Sequence, residues 1–106
     1  MSQATATNGT VGATRSTPRL FLGRVVATPG VTQLVQEGRF NPLEYLTRHV
    51  CGDWGVVYPE DRQLNERSVN DGGRLMSSYK TEEGVTVWII TESDRSHTTL
   101  LLPSEY

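Results

Sequence analysis

The amino-acid sequence predicts an α+β fold, and three features carry that prediction. β-Branched and apolar residues cluster near the start of the chain and again at its end, at 20–28 and 85–102. Helix start signals lie between the two clusters, and a charged connector divides the second one. A strand, then helices, then consecutive strands is typical of the α+β class. The predicted order is an N-terminal strand, two or three short helices and a three-stranded antiparallel meander.

The length of 106 residues fits one domain. We expect residues 1–18 to form a disordered tail, because they are rich in Ala, Thr, Ser and Gly and almost lack large apolar side chains. The alternative is that this tail docks on a partner. Residues 19–106 form the predicted single α+β domain.

The first strand is predicted at Leu20–Thr28, which is apolar and β-branched. The first helix is expected to begin at Pro29, with Thr28 as its N-cap, since proline is favoured at the first helical position. Its buried stripe has the helical spacing i, i+3, i+4 and consists of Val31, Leu34 and Val35.

The second and third helices follow from similar signals. Asn41 is the predicted N-cap of the second helix, and Glu44 completes a capping box. We expect its buried face to consist of Leu43, Leu46 and Val50. The third helix is predicted at 60–70, with a thin apolar face of Leu64 and Val69.

The meander is predicted from three apolar or alternating runs. The first is 74–80, which turns at 82–84 into a central strand that is apolar on both faces. Trp88 is the expected large filler of the core. The polar connector 92–96 is typical of a hairpin turn and leads into the last strand.

Composition excludes several classes of function. A net charge of −2 does not favour direct nucleic-acid binding through phosphate contacts, although a local arginine patch stays possible. One cysteine and two histidines make a zinc site improbable, and we expect neither a metal nor a cofactor. With no apolar run near ~20 residues and no signal-like N-terminus, we expect no membrane association and a cytoplasmic location.

The first candidate site is His49, Asp53 and Trp54, at and just after the end of the second helix. A helix C-terminus raises the pKa of an imidazole, and Asp53 is placed to orient the ring. This arrangement suits a general acid or base. The structural alternative, which we favour, is that His49 caps the helix and Trp54 fills the sheet.

The second candidate site lies at the last hairpin and comprises Asp94, Arg95, His97, Thr98 and Thr99. An arginine beside hydroxyl groups suits a phosphate or carboxylate site. A strand expected to be close by carries Arg74, Ser77, Ser78 and Tyr79, which either extend this polar surface or form the solvent face of the sheet. The alternative is a solvated turn in which Asp94 accepts hydrogen bonds from nearby backbone amides.

Several segments together resemble one family of small bacterial proteins from plasmids and integrated mobile elements, often labelled plasmid-related protein. The segments are 26–30, 46–55, 65–66, 73–79 and 88–103, so the resemblance covers roughly residues 20 to 106. Some members carry a label as a type I restriction methylase subunit. This chain is too short for a methyltransferase domain and lacks a Gly-rich cofactor loop.

Two functions follow as hypotheses. The resemblance implies a mobile-element accessory protein that binds and inhibits a host defence protein or nucleoprotein complex, such as a restriction or CRISPR system. The alternative is a small metal-independent ribonuclease or toxin of barnase-like or RelE-like outline. In that enzyme His49 would be the acid-base, Arg95 would contact phosphate, and Thr98 or Tyr79 would assist. An outermost first strand would also allow a homodimer.

Overall fold

The computed structural model describes residues 17–106, which form three helices and a four-stranded mixed sheet. All but the last two residues of the predicted tail at 1–18 lie outside this described part. The strands are β1 (Arg24–Ala27), β2 (Leu75–Lys80), β3 (Thr86–Thr91) and β4 (His97–Leu101). The helices are α1 (Pro29–Gln36), α2 (Pro42–Val50) and α3 (Pro59–Asp71), and a 3-10 turn follows β4 at Pro103–Glu105.

The sheet has the strand order β1-β4-β3-β2. β2, β3 and β4 are antiparallel neighbours, which confirms the coarse prediction of strands after helices. The predicted meander is only part of the sheet, because β1 pairs in parallel with β4 and makes the sheet mixed. β1 is also shorter than the predicted Leu20–Thr28, since Gly23 takes a φ of +63°, outside the extended region.

The helix boundaries follow from local chemistry. Thr28 accepts a hydrogen bond from the Val31 amide at 3.5 Å, and Asn41 accepts one from the Leu43 amide at 3.2 Å. Each of these caps satisfies an N–H group that the first helical turn leaves without a partner. α3 has no side-chain cap and ends at Gly72, which is left-handed with φ +82°.

The core lies on the face of the sheet that α1 and α2 cover, which we call the inner face. Alternation along the strands puts the side chains of Tyr79, Val87, Ile89 and Leu100 on this face. Val31 and Leu34 of α1 and Phe40 pack against them. The opposite, outer face carries Met76, Trp88, Ile90 and Thr99.

The buried face of α2 differs from the prediction. Leu43 is 73% exposed, whereas His49 is fully buried and Tyr45 and Leu46 pack against the core. The helix is therefore rotated so that Tyr45 and His49, four residues apart, face inward. Hydrogen-bond partners for the imidazole and stacking of Tyr45 on Phe40 at 4.8 Å make this orientation favourable.

Three further packing predictions were wrong. Val35 of α1 is 38% exposed, so the buried stripe of this helix is Val31 and Leu34. Leu64 of α3 is 50% exposed and the buried residue beside it is Asn65. Trp88 lies half-buried on the outer face, and the large buried indole belongs to Trp54, which is 1% exposed. Trp54 meets the His49 ring edge-on at 5.8 Å, so it fills the space between α2 and the sheet.

The two edges of the sheet are treated differently. Ser78 of β2 donates to the Trp54 carbonyl at 3.0 Å and accepts from the Val56 amide at 2.7 Å. Asn65 exchanges two side-chain hydrogen bonds with the Met76 backbone, at 2.8 and 3.1 Å. The β2 edge is therefore covered, while no strand within residues 17–106 pairs with the outer edge of β1. No helix in this range is long and apolar enough to cross a membrane.

Candidate functional site

His49 is the centre of a buried chain of hydrogen bonds. Its Nδ1 lies 2.6 Å from Ser77 Oγ and its Nε2 lies 2.9 Å from Thr91 Oγ1. Thr91 Oγ1 is 2.7 Å from Thr98 Oγ1, which donates to the Leu22 carbonyl at 2.8 Å. Because that carbonyl only accepts, Thr98 accepts from Thr91 and Thr91 accepts from His49 Nε2, so Nε2 carries a proton. In the neutral ring, Nδ1 then accepts from the Ser77 hydroxyl.

The electrostatics of His49 agree with this assignment. Burial, with a smaller contribution from the positive charge of Arg95, lowers the pKa of His49 to about 4. The prediction that the helix C-terminus raises this pKa was wrong, because loss of solvation outweighs the helix dipole here. Asp53 does not orient the ring, since its carboxylate binds Arg48 at 2.7 Å.

The Arg95 side chain donates hydrogen bonds to backbone carbonyls. Its guanidinium donates to the carbonyls of Gly73 at 2.7 Å and Ser68 at 2.9 Å, at the end of α3. It also donates to the Glu92 carbonyl at 3.1 Å within its own turn. Arg95 has a φ of +60°, a conformation that this set of bonds helps to hold. The side chain thereby ties the β3–β4 turn to α3.

The remaining members of the predicted ribonuclease set are also internal. Tyr79 is 1% exposed, and its hydroxyl donates to the Asp53 carbonyl at 2.5 Å. Burial raises the pKa of Tyr79. Thr98 is fully buried within the His49 chain of hydrogen bonds. Because His49 is also fully buried, His49 and Arg95 do not open together into a cleft. The ribonuclease hypothesis requires such a cleft.

Asp53 and Trp54 lie at the covered β2 edge, away from the hairpin residues. The Trp54 indole N–H donates to Glu66 Oε2 at 2.9 Å, and Arg19 binds the same carboxylate at 2.7 and 3.2 Å. The hydrogen bond from Arg19, helped by that from Trp54, lowers the pKa of Glu66. This network fixes the segment that follows α2 against α3.

Asp94 and His97 lie at the β3–β4 turn. The Asp94 carboxylate accepts a hydrogen bond from the Ser96 amide at 2.9 Å, and hydrogen bonding to Ser96 lowers the pKa of Asp94. The Ser96 hydroxyl is 3.0 Å from His97 Nδ1. These contacts are those of the solvated turn that was weighed as the alternative to an anion site.

The outer face brings Arg74 and Thr99 together with residues that sequence reasoning did not select. Arg74 donates to the Tyr106 hydroxyl at 3.0 Å and stacks over its ring at 5.6 Å, while Trp88 meets the same ring edge-on at 5.6 Å. Arg74 also borders two adjoining depressions. We call this region the Arg74 surface, formed by Leu64, Arg74, Met76, Trp88, Thr99 and Tyr106.

The Arg74 surface combines exposed apolar groups with a border of charge, although Phe21 and Tyr58 outside it are more exposed than Tyr106. Tyr106 is 70% exposed and Leu64 is 50% exposed, and three carboxylates border the depressions: Asp61, Glu92 and Glu105. Aromatic residues, methionine and arginine inside a polar border are the composition of protein interfaces. Strand alternation alone would have grouped Met76 and Trp88, but the position of Tyr106 depends on the final turn and has no local sequence signal.

The fold and these contacts define a small α+β domain that presents one exposed tyrosine, Tyr106, against Arg74 and Trp88 on the outer face of its sheet. The chain matches no protein-family model, no curated protein and no solved structure. The resemblance to mobile-element proteins thus stays a prediction from the quoted segments. Within residues 17–106, no group of three or more His, Cys, Asp or Glu side chains is placed to hold a metal ion.

Proposed function

We propose that this protein acts by binding another protein through the Arg74 surface. The observation that carries the proposal is the exposed Tyr106 ring, which Arg74 and Trp88 hold in place on the outer face. A tyrosine fixed before binding loses little conformational entropy when it enters a partner's pocket. Tyrosine, tryptophan and arginine are also the residues that most often dominate binding energy.

The charge distribution supports a protein partner over direct nucleic-acid binding. Four arginines pair with carboxylates: Arg19 with Glu66, Arg39 with Glu37 and Glu83, Arg48 with Asp53, and Arg74 with Glu92. Arg95 is held by backbone carbonyls. Few cationic groups in the described part are then available for phosphates, which a nucleic-acid binder needs in a patch.

The finer proposal is that the partner is a host defence protein or nucleoprotein complex, which this protein inhibits as an accessory factor of mobile DNA. Its support is the resemblance to plasmid proteins and the net charge of −2. An acidic protein is attracted to the basic surfaces on which such complexes hold nucleic acid. The location that this role implies is the cytoplasm.

Co-elution of the purified protein with restriction and CRISPR complexes tests the proposal. The Tyr106→Ala and Arg74→Ala variants should each weaken the complex by more than about tenfold, because truncated hot-spot residues cost about 2 kcal/mol. Leu43→Ala is the matched control, since Leu43 is equally exposed but lies on α2. It should change the affinity less than about twofold.

Two results would contradict the proposal. One is co-elution that the Tyr106→Ala and Leu43→Ala variants retain equally, which would place the contact elsewhere. The other is an absence of binding combined with cleavage of RNA in the presence of a chelator. Cleavage that survives in the His49→Ala variant would also exclude His49 as its acid-base.

A further inference from the structure

In the part of the chain that the structure describes, no strand covers the backbone hydrogen-bonding groups on the outer edge of β1. The amides of Arg24 and Thr28 donate to the carbonyls of Ser96 and Leu100, both at 3.0 Å. In a strand, alternate residues direct their N–H and C=O groups to opposite sides. Val25 and Ala27 therefore direct both groups away from β4, where no strand within residues 17–106 meets them.

The ends of this edge are sharply bounded. Before it, Gly23 has a φ of +63°, outside the extended region, and a Cβ at this position would overlap the Arg95 and Ser96 carbonyl oxygens. After it, Pro29 has no N–H group and begins α1. Only residues 24–28 can pair with an added strand, and Val25 and Ala27 supply all of its hydrogen bonds.

We propose that a second copy of this chain pairs with this edge, β1 against β1 in antiparallel orientation, about a two-fold axis through Val26. Val25 of each copy then lies opposite Ala27 of its twin. Each of these two symmetric pairs exchanges both N–H···O bonds, so every outward group of the edge is used. Centring the pairing on Val25 would need Gly23, and centring it on Ala27 would need the missing amide of Pro29.

Charge complementarity supports a second copy as the occupant. In this register Arg24 lies opposite Thr28 of the twin, with both side chains on the outer face. Thr28 Oγ1 lies 2.5 Å from Glu105, so that carboxylate sits beside the twin's Arg24. The exposed Arg24 takes part in none of the ion pairs found within residues 17–106. The pairing places one carboxylate beside each Arg24, so the dimer contains two such ion pairs.

The side chains of the edge also fit this pairing. Val25 is 43% exposed and Val26 is 39% exposed, on opposite faces of the strand. Pairing covers both valines and joins the two sheets of four strands into one continuous sheet. Arg74 and Met76 lie at the opposite edge of each sheet from β1, whereas Thr99 neighbours Val26 and Glu105 borders both regions. The pairing rests on the backbone groups of β1, so this inference does not depend on the proposed function.

Sedimentation of the full-length protein across a concentration series tests the dimer. Val26→Glu should raise the dimer dissociation constant by at least about a hundredfold, because it places two carboxylates together on the axis. Arg24→Glu should raise it by about tenfold, since it removes two ion pairs and adds repulsion. Lys80→Glu is the control: it makes the same charge change on an exposed residue of β2 and should leave the constant unchanged.

Oxidative cross-linking tests the register. In a Cys51→Ser background, Val26→Cys should form an intermolecular disulfide, because a directly opposed non-hydrogen-bonded pair has Cα atoms about 4.5 Å apart. Val25→Cys, one residue away and similarly exposed, should not cross-link to its twin. Cross-linking of Val25→Cys in preference to Val26→Cys would overturn the register.

A full-length protein that stays monomeric at every concentration would overturn the proposal. Amide hydrogen exchange then identifies the reason. Slow exchange at Val25 and Ala27 in a monomer would mean that another segment of the same chain occupies the edge. Fast exchange would mean that the edge stays open. A dimer that Val26→Glu leaves intact would place the contact on another surface and would equally refute pairing through β1.

Discussion

At the scale of single residues, His49 shows how a side chain that suits catalysis in a sequence can serve stability in a fold. Its two ring nitrogens join α2 to β2 and β3, and the same chain of hydroxyls continues to β4 and the Leu22 carbonyl. A buried imidazole without such partners would cost about 1–3 kcal/mol. With them, it fixes the position of one helix relative to three strands.

The stability of the protein should fall in mild acid because of His49. Its pKa is about 4 in the folded state, below the ordinary value of 6.5, so the unfolded chain binds more protons between these limits. The contribution is complete above pH 6.5 and is lost as the pH falls toward 4, by about 3 kcal/mol in total. Denaturant unfolding at a series of pH values measures this slope.

The matched variants for that measurement are His49→Gln and His97→Gln, which each remove one of the two histidines. His49→Gln should be less stable at pH 7 and should lose the slope between pH 6.5 and 4.5. His97→Gln should keep it. A slope that persists unchanged in His49→Gln would show that another group titrates in this range.

At the scale of elements, closure of the β2 edge depends on Gly55. Gly55 has a φ of +74° and pairs with Ser78, and a Cβ at this position would overlap the Ser78 carbonyl oxygen. Gly38 has almost the same φ, +72°, but open space around its Cβ position. Alanine substitutions at Gly38 and Gly55 therefore distinguish the cost of backbone strain alone from the cost of strain together with steric overlap.

Gly38→Ala should destabilise the protein by about 1 kcal/mol, the cost of a left-handed L-residue. Gly55→Ala should cost about 3 kcal/mol, because the segment must also move away from β2. Free energies of unfolding from denaturant titration measure both. Equal losses in the two variants would mean that the 54–56 segment is not held against β2.

The sequence predicted the helices and strands more accurately than it predicted the buried side of each one. Caps, prolines and glycines at 28–29, 41–42 and 72 are local signals, and the helices begin and end beside them. The buried face of α2 is set by distant partners, Ser77 and Thr91, so apolar spacing selected Leu43 wrongly. The contacts of His49 and Arg95 likewise depend on burial and on distant hydrogen-bond partners, which have no local sequence signal.

At the scale of the whole molecule, the two edges of the sheet differ in their ability to pair with a strand of another molecule. Within residues 17–106 no strand pairs with the β1 edge at 24–28, whereas the β2 edge is covered by residues 54–56 and by Asn65. A sheet with one open edge can add one neighbour through that edge and then has none left. Pairing through β1 therefore ends at two copies, while a second open edge would allow chains of molecules.

Substitution of Asn65 tests whether the covered β2 edge limits assembly to two copies. The Asn65 side chain binds the Met76 backbone groups that a neighbouring strand would otherwise bind. Asn65→Ala removes both hydrogen bonds, which should lower the free energy of unfolding by about 2 kcal/mol. It should also expose the Met76 backbone, so that species larger than two copies appear in sedimentation as the concentration rises. Asn70→Ala, on an exposed position of the same helix, should do neither. An Asn65→Ala protein that loses stability but forms the same species as the native chain would mean that the 54–56 segment closes the β2 edge by itself.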